Sequence, residues 1–341
     1  MALLDFEFTD QALHFPALRM WFDAHRKRRP GELVFVSHAH SDHTGRHAEV
    51  ILTRPTQLLM AASLGGKRTE HVLNFGERVD LREARFGSPR EASLTLYPAG
   101  HILGSAMARI ESNEGSLLYT GDFKLRPGKS AELCQPIPAD VLVMETTFGL
   151  PKYVFPPTCQ VVAEMLKFCA QSLAEKTVPV LLGYSLGKSQ EMLSLLAHAG
   201  FPLMAHEATA QMTGIYSDLG WAMPSLADWA PENASGHIVL APPGAALDAL
   251  RKLHVVRLGV VTGWAIDSSC RYRYRADAAF PLSDHADFPD LIEFVRRVSP
   301  RTIFTLHGFA GEFAATLRRL GYDARSLTDQ DQFELALGDG C

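Results

Sequence analysis

Short apolar runs that break off into polar residues set the pattern of this chain. Residues 33–36 (Leu-Val-Phe-Val), 50–53, 93–97, 116–120, 141–144, 178–182, 237–240 and 302–306 are each four or five residues long and mostly apolar. Runs of that length bounded by Gly, Pro, Asn, Asp or Ser predict buried strands. A further strand is predicted at 72–79. Apolar residues recur at helical spacing over 56–64, 161–174, 191–198, 246–253 and 289–298. Strands alternating with amphipathic helices predict an α/β chain. Residues 1 to about 30 give a short strand or hairpin around Leu3, Phe6 and Phe8, then a basic stretch, and no chemistry is read there. In Arg271-Tyr272-Arg273-Tyr274-Arg275 arginine alternates with tyrosine, so a strand would set three guanidiniums on one face. A solvated edge strand and a track for phosphates satisfy that pattern equally.

What distinguishes these strands is how they end. The first run leads into Ser37-His38-Ala39-His40-Ser41-Asp42-His43, three imidazoles and a carboxylate within six positions, closed by Thr44-Gly45. The chain has fourteen histidines in 341 residues, so chance clustering is a poor account of that density. His101 stands between glycines after another run. Asp122 follows Gly121 at the end of a third, and Glu145 ends a fourth. His285 lies in Ser283-Asp284-His285-Ala286-Asp287, and His307 follows 302–306 directly. Imidazole nitrogen and carboxylate oxygen are the usual donors to zinc and similar divalent ions.

Composition narrows the class. Apolar residues make up 47% and charged residues 21%, values of an ordinary globular protein. No run approaches the length of a membrane span and no basic-then-apolar leader opens the chain, so a cytoplasmic protein without membrane contact is expected. Cys134, Cys159, Cys169, Cys270 and Cys341 are odd in number and lack any Cys-x-x-Cys, which argues for reduced thiols and against a thiolate metal site. The net charge of −5 is not that of a typical nucleic-acid binder, although basic residues cluster at 26–29, 251–252 and 271–275.

The strand-end residues are too many for one ion, since a catalytic zinc takes three protein ligands and water. Two divalent ions, Zn²⁺ or alternatively Mn²⁺, sharing Asp122 would use them well. His38, His40 and His101 would hold one, and Asp42, His43 and His307 the other. A pair of ions about 3.5–4 Å apart can bring a bridging water toward ionisation at neutral pH and steady the charge of an attacked phosphodiester. Glu145 and His285 remain. A histidine bound to a carboxylate is held in one orientation, suited to protonating a departing oxygen. Further on, Gly183 to Glu191 passes from strand through a glycine-containing loop into a helix. Lys188 and Ser189 sit at that helix start, where a phosphate seat and a plain strand-to-helix connection are both open readings.

The motif His38-x-His40-x-Asp42-His43, with His101 and Asp122, resembles the metallo-β-lactamase superfamily. Glu145-Thr146-Thr147-Phe148-Gly149, Ser283-Asp284-His285-Ala286-Asp287 and Leu306-His307-Gly308 resemble motifs A, B and C of its β-CASP nuclease branch, and the 22-residue step from His285 to His307 fits. The resemblance covers nearly the whole chain. It implies an αββα sandwich with an inserted small α/β cap: residues 1–156 and 263–341 forming the sandwich and 157–262 the cap. It implies His38, His40, His101 and Asp122 on the first metal, Asp42, His43, Asp122 and His307 on the second, and Asp42, Glu145 and His285 as the catalytic set, with His285 the general acid. Leu186-Gly187-Lys188-Ser189-Gln190 is similar to a phosphate-contacting turn of the cap, with Lys188 in place of arginine. Asp284 departs from the alanine common before the motif B histidine.

Phe148-Gly149-Leu150-Pro151, Tyr184-Ser185-Leu186-Gly187-Lys188 and Gly263-Trp264-Ala265 most resemble the bacterial DNA ligase-associated exonuclease group. That resemblance implies a DNA exonuclease acting on single strands in DNA repair, beside an ATP-dependent DNA ligase and a helicase. A histidine at motif C, as at His307, points instead to the RNA-cleaving members, so an RNA-processing ribonuclease is the alternative. A thioester or lactone hydrolase of the same sandwich is less consistent, because it needs neither the Glu145/His285 pair nor a cap. A catalytically dead scaffold would not retain a candidate at every ligand position.

Overall fold

The strand Leu33–Phe35 lies inside a six-stranded sheet, and its position explains its composition. In a computed structural model that describes residues 5–245 and 247–327, it is flanked by Met20–Phe22 and Glu49–Leu52, both parallel to it. A parallel strand covered on both faces has no polar side to offer, hence the unbroken Leu-Val-Phe-Val. Expectations at Leu3, Ala246 and Cys341 fall outside the described residues.

The chain divides into two compact units. Among the described residues the first draws on 5–127, 132–154 and 285–327, and the second on 128–131, 155–245 and 247–284. In the first unit the six-stranded sheet runs in sequence order from Glu7–Thr9 to Thr69–Val72. A seven-stranded sheet is built from Asp323–Ser326, Thr302–Leu306, Val141–Glu145, Gly115–Tyr119, Ala106–Ser112, Ser93–Pro98 and Arg78–Asp80, in that order. Phe15, Phe22, Phe35 and Ile51 of one sheet pack against Leu94, Ala108, Leu117 and Val143 of the other.

The opposite face of the seven-stranded sheet is covered by helices Phe288–Val298 and Ala310–Arg319. The first of these buries Leu291, Phe294, Val295 and Val298, at helical spacing. Asp287 caps it, accepting from the Asp290 N–H, Pro289 occupies the first turn, and Ser299 ends it in the left-handed region. Each such side chain contributes about 1.5–3 kcal/mol of burial, so Phe294→Ala is the single change that would do most to loosen the layer. Helix, sheet, sheet and helix Arg54–Ser63 give the αββα order that the motifs implied.

The second unit holds a five-stranded, wholly parallel sheet in the order Leu203–Ala205, Ile238–Ala241, Val178–Leu182, Val256–Val261 and Ala278–Phe280. Val178, Val180 and Leu182 face one core and Leu181 the other, so this strand too is apolar throughout.

Three local expectations change. The run at 72–79 is two strands, Thr69–Val72 and Arg78–Asp80, in different sheets, because Glu77-Gly76 turns the chain between them. The second unit's helix starts at Lys188 rather than 191. The arginine–tyrosine segment is not a strand: Cys270–Arg273 is a short helix, so its guanidiniums do not share one strand face. Cys270 faces the core there, and helical spacing overrides the alternation. Cys134, Cys159, Cys169 and Cys270 are free thiols.

Candidate metal centre

Most of the functional side chains stand where strands stop. Gly115–Tyr119, Val141–Glu145 and Thr302–Leu306 run parallel, so Asp122, Glu145 and His307 emerge at the same end of the sheet. The loop after Leu33–Phe35 brings His38, His40, Asp42 and His43, tied across by the Ala106 N–H donating to the Ser37 carbonyl. His101 comes from the loop between Ser93–Pro98 and Ala106–Ser112. Openings beyond the carboxyl ends of parallel strands are where α/β sheets bind ligands.

Close approach at two places requires glycine. A Cβ on Gly121 would lie 2.6 Å from the Ser37 Cβ, and one on Gly308 would lie 2.4 Å from the Thr147 Cα. His307 itself has φ of 57°, a left-handed conformation unusual for a side chain of its size, held by the Thr146 hydroxyl donating to its carbonyl at 2.6 Å.

His38 Nε2 is 3.1 Å from His40 Nδ1, which is 3.1 Å from His101 Nε2. The Asp122 Oδ2 lies 3.6 Å from His38 Nε2, 3.8 Å from His101 Nε2 and 3.4 Å from His43 Nε2. One donor atom each from His38, His40, His101 and Asp122 fall within 4.8 Å of one another. Nitrogens converging on nitrogens cannot all donate protons, whereas a divalent cation would satisfy all of them together with the carboxylate. Three nitrogens and an oxygen suit zinc and its neighbours, so the donor set fits the expected ion.

The second expected ligand set gathers more loosely. His43 Nε2 is 3.8 Å from the Asp42 Oδ2 as well as 3.4 Å from Asp122, and the His43 and His307 rings are 5.9 Å apart. Asp42 is the exposed member, with 77% of its side chain open. The structure thus brings residues from both ends of the chain to Asp122.

Burial, then the charges of His43 and His101, hold His38 well below the usual histidine range, so its ring is neutral as a ligand must be. Burial also lowers His307, helped by His43. At His43 burial pushes the same way, but Asp122 and Asp23 outweigh it and hold the ring well above its usual range. Burial would raise Asp122; His43 and His285 instead keep it well below the usual carboxylate range.

Beside this cluster, His285 Nδ1 meets the Glu145 Oε1 at 2.9 Å. Glu145 is fully buried and also accepts from the Phe123 N–H at 3.3 Å and the Thr147 N–H at 2.8 Å. Donor atoms of Asp122, Glu145 and His285 fall within 4.8 Å of one another, and the His285 and His101 rings are 4.6 Å apart. A carboxylate so fixed sets the tautomer and the ring plane, with Nε2 on the opposite edge of the ring from Glu145.

Asp23 escaped the sequence reading. Its Oδ1 accepts from the Ser37 N–H at 2.7 Å, and its Oδ2 from the Ser37 hydroxyl at 2.6 Å, the Tyr119 hydroxyl at 2.8 Å and His43 Nδ1 at 2.9 Å. The Ser37 Oγ is in turn 3.0 Å from His38 Nδ1. One buried carboxylate therefore orients two candidate ligand rings from behind. Tyr119 is held as a phenol by burial and by Asp23. A signal was present: Asp23 directly follows the apolar strand Met20–Phe22, much as Asp122 follows its own.

The turn at Lys188 and Ser189 holds its donors within the second unit. Lys188 is 2% exposed, and its Nζ donates to the Leu282 carbonyl at 2.9 Å and pairs with Asp284 at 2.9 Å. The Ser189 hydroxyl and N–H both go to the Tyr184 carbonyl, at 2.8 and 3.1 Å, and the Gly187 N–H goes to the Gln190 Oε1 at 2.7 Å. These donors close the turn on itself in this structure. Asp284, which departs from the family pattern, is the partner that Lys188 takes.

A sandwich with this donor cluster defines a class, the metal-dependent hydrolases of the αββα fold. Comparison with known proteins makes it particular. Residues 11–178 match the metallo-β-lactamase superfamily and residues 273–326 match the Zn-dependent metallo-hydrolase RNA specificity domain. The chain belongs to the metallo-β-lactamase superfamily, in its β-CASP nuclease family. It is 47% identical to a "Probable DNA ligase" of Opitutus terrae over 98% of this chain and 32% of that protein. It is 28% identical to "RNase aCSPSF2" of Saccharolobus solfataricus over 54% of this chain and 44% of that one. The chain thus spans from a third to less than half of these relatives. A crystal structure of a protein of unknown function from Enterococcus faecalis shares the fold, with a TM-score of 0.57 at 14% identity over 87% of this chain and 79% of that one. Among the described residues no helix is long and apolar enough to cross a membrane.

Proposed function

We propose that this chain is a cytoplasmic, metal-dependent DNA exonuclease that trims single strands in repair, working beside an ATP-dependent DNA ligase. The observation that carries the phosphodiesterase reading is the Glu145–His285 pair, 2.9 Å long, beside the carboxylate that both ligand sets would share. A lone hydrolytic metal site has no use for a second, separately buttressed acid. The relative named a probable DNA ligase, about three times as long, supports DNA and a ligase as context.

His38, His40, His101 and Asp122 would hold one divalent ion, and Asp42, His43, Asp122 and His307 the other. When bound, the ions supply Lewis acidity and a more acidic water. Asp23 keeps His38 and His43 turned inward. Glu145 holds the His285 Nδ1 proton, which leaves Nε2 to give a proton to the oxygen departing from phosphorus. The side chain of His285 is 20% exposed, so a substrate oxygen can reach it. Lys188 and Ser189 shape the turn of the cap.

The second reading is an RNA-processing ribonuclease, favoured by His307 and by the family match at 273–326. Matched DNA and RNA oligonucleotides, digested side by side with Zn²⁺ or Mn²⁺ and read on a gel, separate the two. The expected result is stepwise shortening of single-stranded DNA, slowed about 10²–10⁴-fold by His285→Ala with bound metal retained. Preferential RNA cleavage would select the second reading, and turnover of a thioester or lactone without any strand cleavage would overturn both.

A further inference from the structure

Cations collect on one side of the first unit, in a chain whose net charge is −5. A recess of about 270 Å³ is lined by Lys27, Arg46, His47, Lys67 and Arg68, with the glycine pair Gly65-Gly66 leaving its rim bare. These residues come from three successive connections of the six-stranded sheet. Lys27 lies between Met20–Phe22 and Leu33–Phe35, Arg46 and His47 between that strand and Glu49–Leu52, and Lys67 and Arg68 just before Thr69–Val72.

The recess is built on held groups and open ones. Arg68 has only 4% of its side chain exposed; its Nε pairs with Glu70 at 2.9 Å and its Nη2 donates to the Leu64 carbonyl at 2.7 Å. His47 is buried, its Nε2 is 2.6 Å from the Ala24 carbonyl, and burial together with the charges of Arg28 and Arg68 keeps its ring uncharged. Arg28 stacks on Trp21 at 3.7 Å, reaches Asp10 with one nitrogen at 3.4 Å, and keeps buried Nε and Nη2 atoms without a hydrogen-bond partner. Around them Lys27, Arg46 and Lys67 are exposed and form no ion pair among the described residues. Three open cations beside these paired arginines repel one another and become favourable once an anion sits among them.

The same connections begin at the metal centre. Lys27 is four residues past Asp23, and Arg46 three past His43. A second, open recess of about 610 Å³, lined by His25, Arg26, Asp10 and Asp42 among others, joins the residues before Lys27 to the candidate ligand Asp42.

We propose that the Lys27–Arg46–Lys67 recess binds backbone phosphates of the nucleic-acid strand at a distance from the scissile bond, reached from the centre past His25 and Arg26. This rests on the nuclease reading above. It gives the strand a sequence-independent hold on the first unit that the closed turn at Lys188 does not offer.

The test measures binding of a labelled 20-nucleotide single strand to full-length protein carrying His285→Ala, which cannot consume it, across a salt series. The triple variant K27A/R46A/K67A in that background should bind at least about tenfold more weakly near 0.1 M salt. Its log–log salt slope should fall by about 2, the value for three lost phosphate contacts on a single strand. A control variant, R78A/R82A/R85A, removes three exposed arginines elsewhere and should leave the slope within about 0.5 of the parent. Parent-like affinity and slope in the first variant overturn the proposal, as does an equal fall in the control. So does normal strand binding with lost affinity for poly-glutamate, which would assign the recess to an acidic peptide. If wild type cleaves strands and the variant still binds them like the parent, only the recess is refuted. If wild type neither binds nor cleaves them, the nuclease reading falls and takes the recess with it.

Discussion

Two loops in this molecule look alike in sequence and behave differently in structure. The loop from Ser37 to His43 and the turn from Gly183 to Glu191 each follow a buried strand, and each buries polar side chains. In the first, imidazole nitrogens face one another at 3.1 Å and a carboxylate faces all of them, so the polar atoms converge on a shared centre. In the second, every donor noted above is consumed by the turn or by Leu282 and Asp284. The lesson is that a polar motif at a strand end marks a site only where its atoms are left facing a common point. Where they are matched internally, the motif describes a joint of the fold.

That contrast can be broken experimentally. Lys188→Met should remove the buried ammonium from the Leu282 carbonyl and the partly buried Asp284, at a cost of about 3–5 kcal/mol, read as a marked drop in denaturation midpoint. The folded variant should keep its KM for single strands. A raised KM with unchanged stability would restore Lys188 as a phosphate contact and erase the difference between the loops. Asp23→Asn is a smaller perturbation on the other side. It removes the acceptor that orients His38 and His43, and metal affinity by competition with a chromogenic chelator should fall about 10–100-fold. An unchanged affinity would show that the rings hold their positions without it.

Much of the candidate centre was legible because its chemistry is local: four donors within six positions after one strand, then single His, Asp and Glu residues at other strand ends. The convergence of His43 and His307 was legible from their shared place at strand ends and from motif resemblance, since nothing in spacing alone joins residues so far apart. The role of Asp23 was not legible because the groups it holds, Ser37, His43 and Tyr119, lie 14, 20 and 96 residues away. The Arg271–Arg275 segment misled for a different reason. Alternation of two residue types was read as a strand period, while Cys270 and Ala276, the residues that pack inward, were set by a short helix and its turn. The closed turn at Lys188 could not be read from sequence at all, because its partners at Leu282 and Asp284 lie more than ninety residues away.

The central claim is that side chains from both ends of the polypeptide grip two cations through Asp122. Elemental analysis of protein reconstituted with zinc and freed of excess ion measures it directly. The account predicts about two ions per wild-type chain and at most one, with strand cleavage lost, in Asp122→Asn. Two ions retained by that variant with cleavage intact, or none bound by wild type, would contradict it.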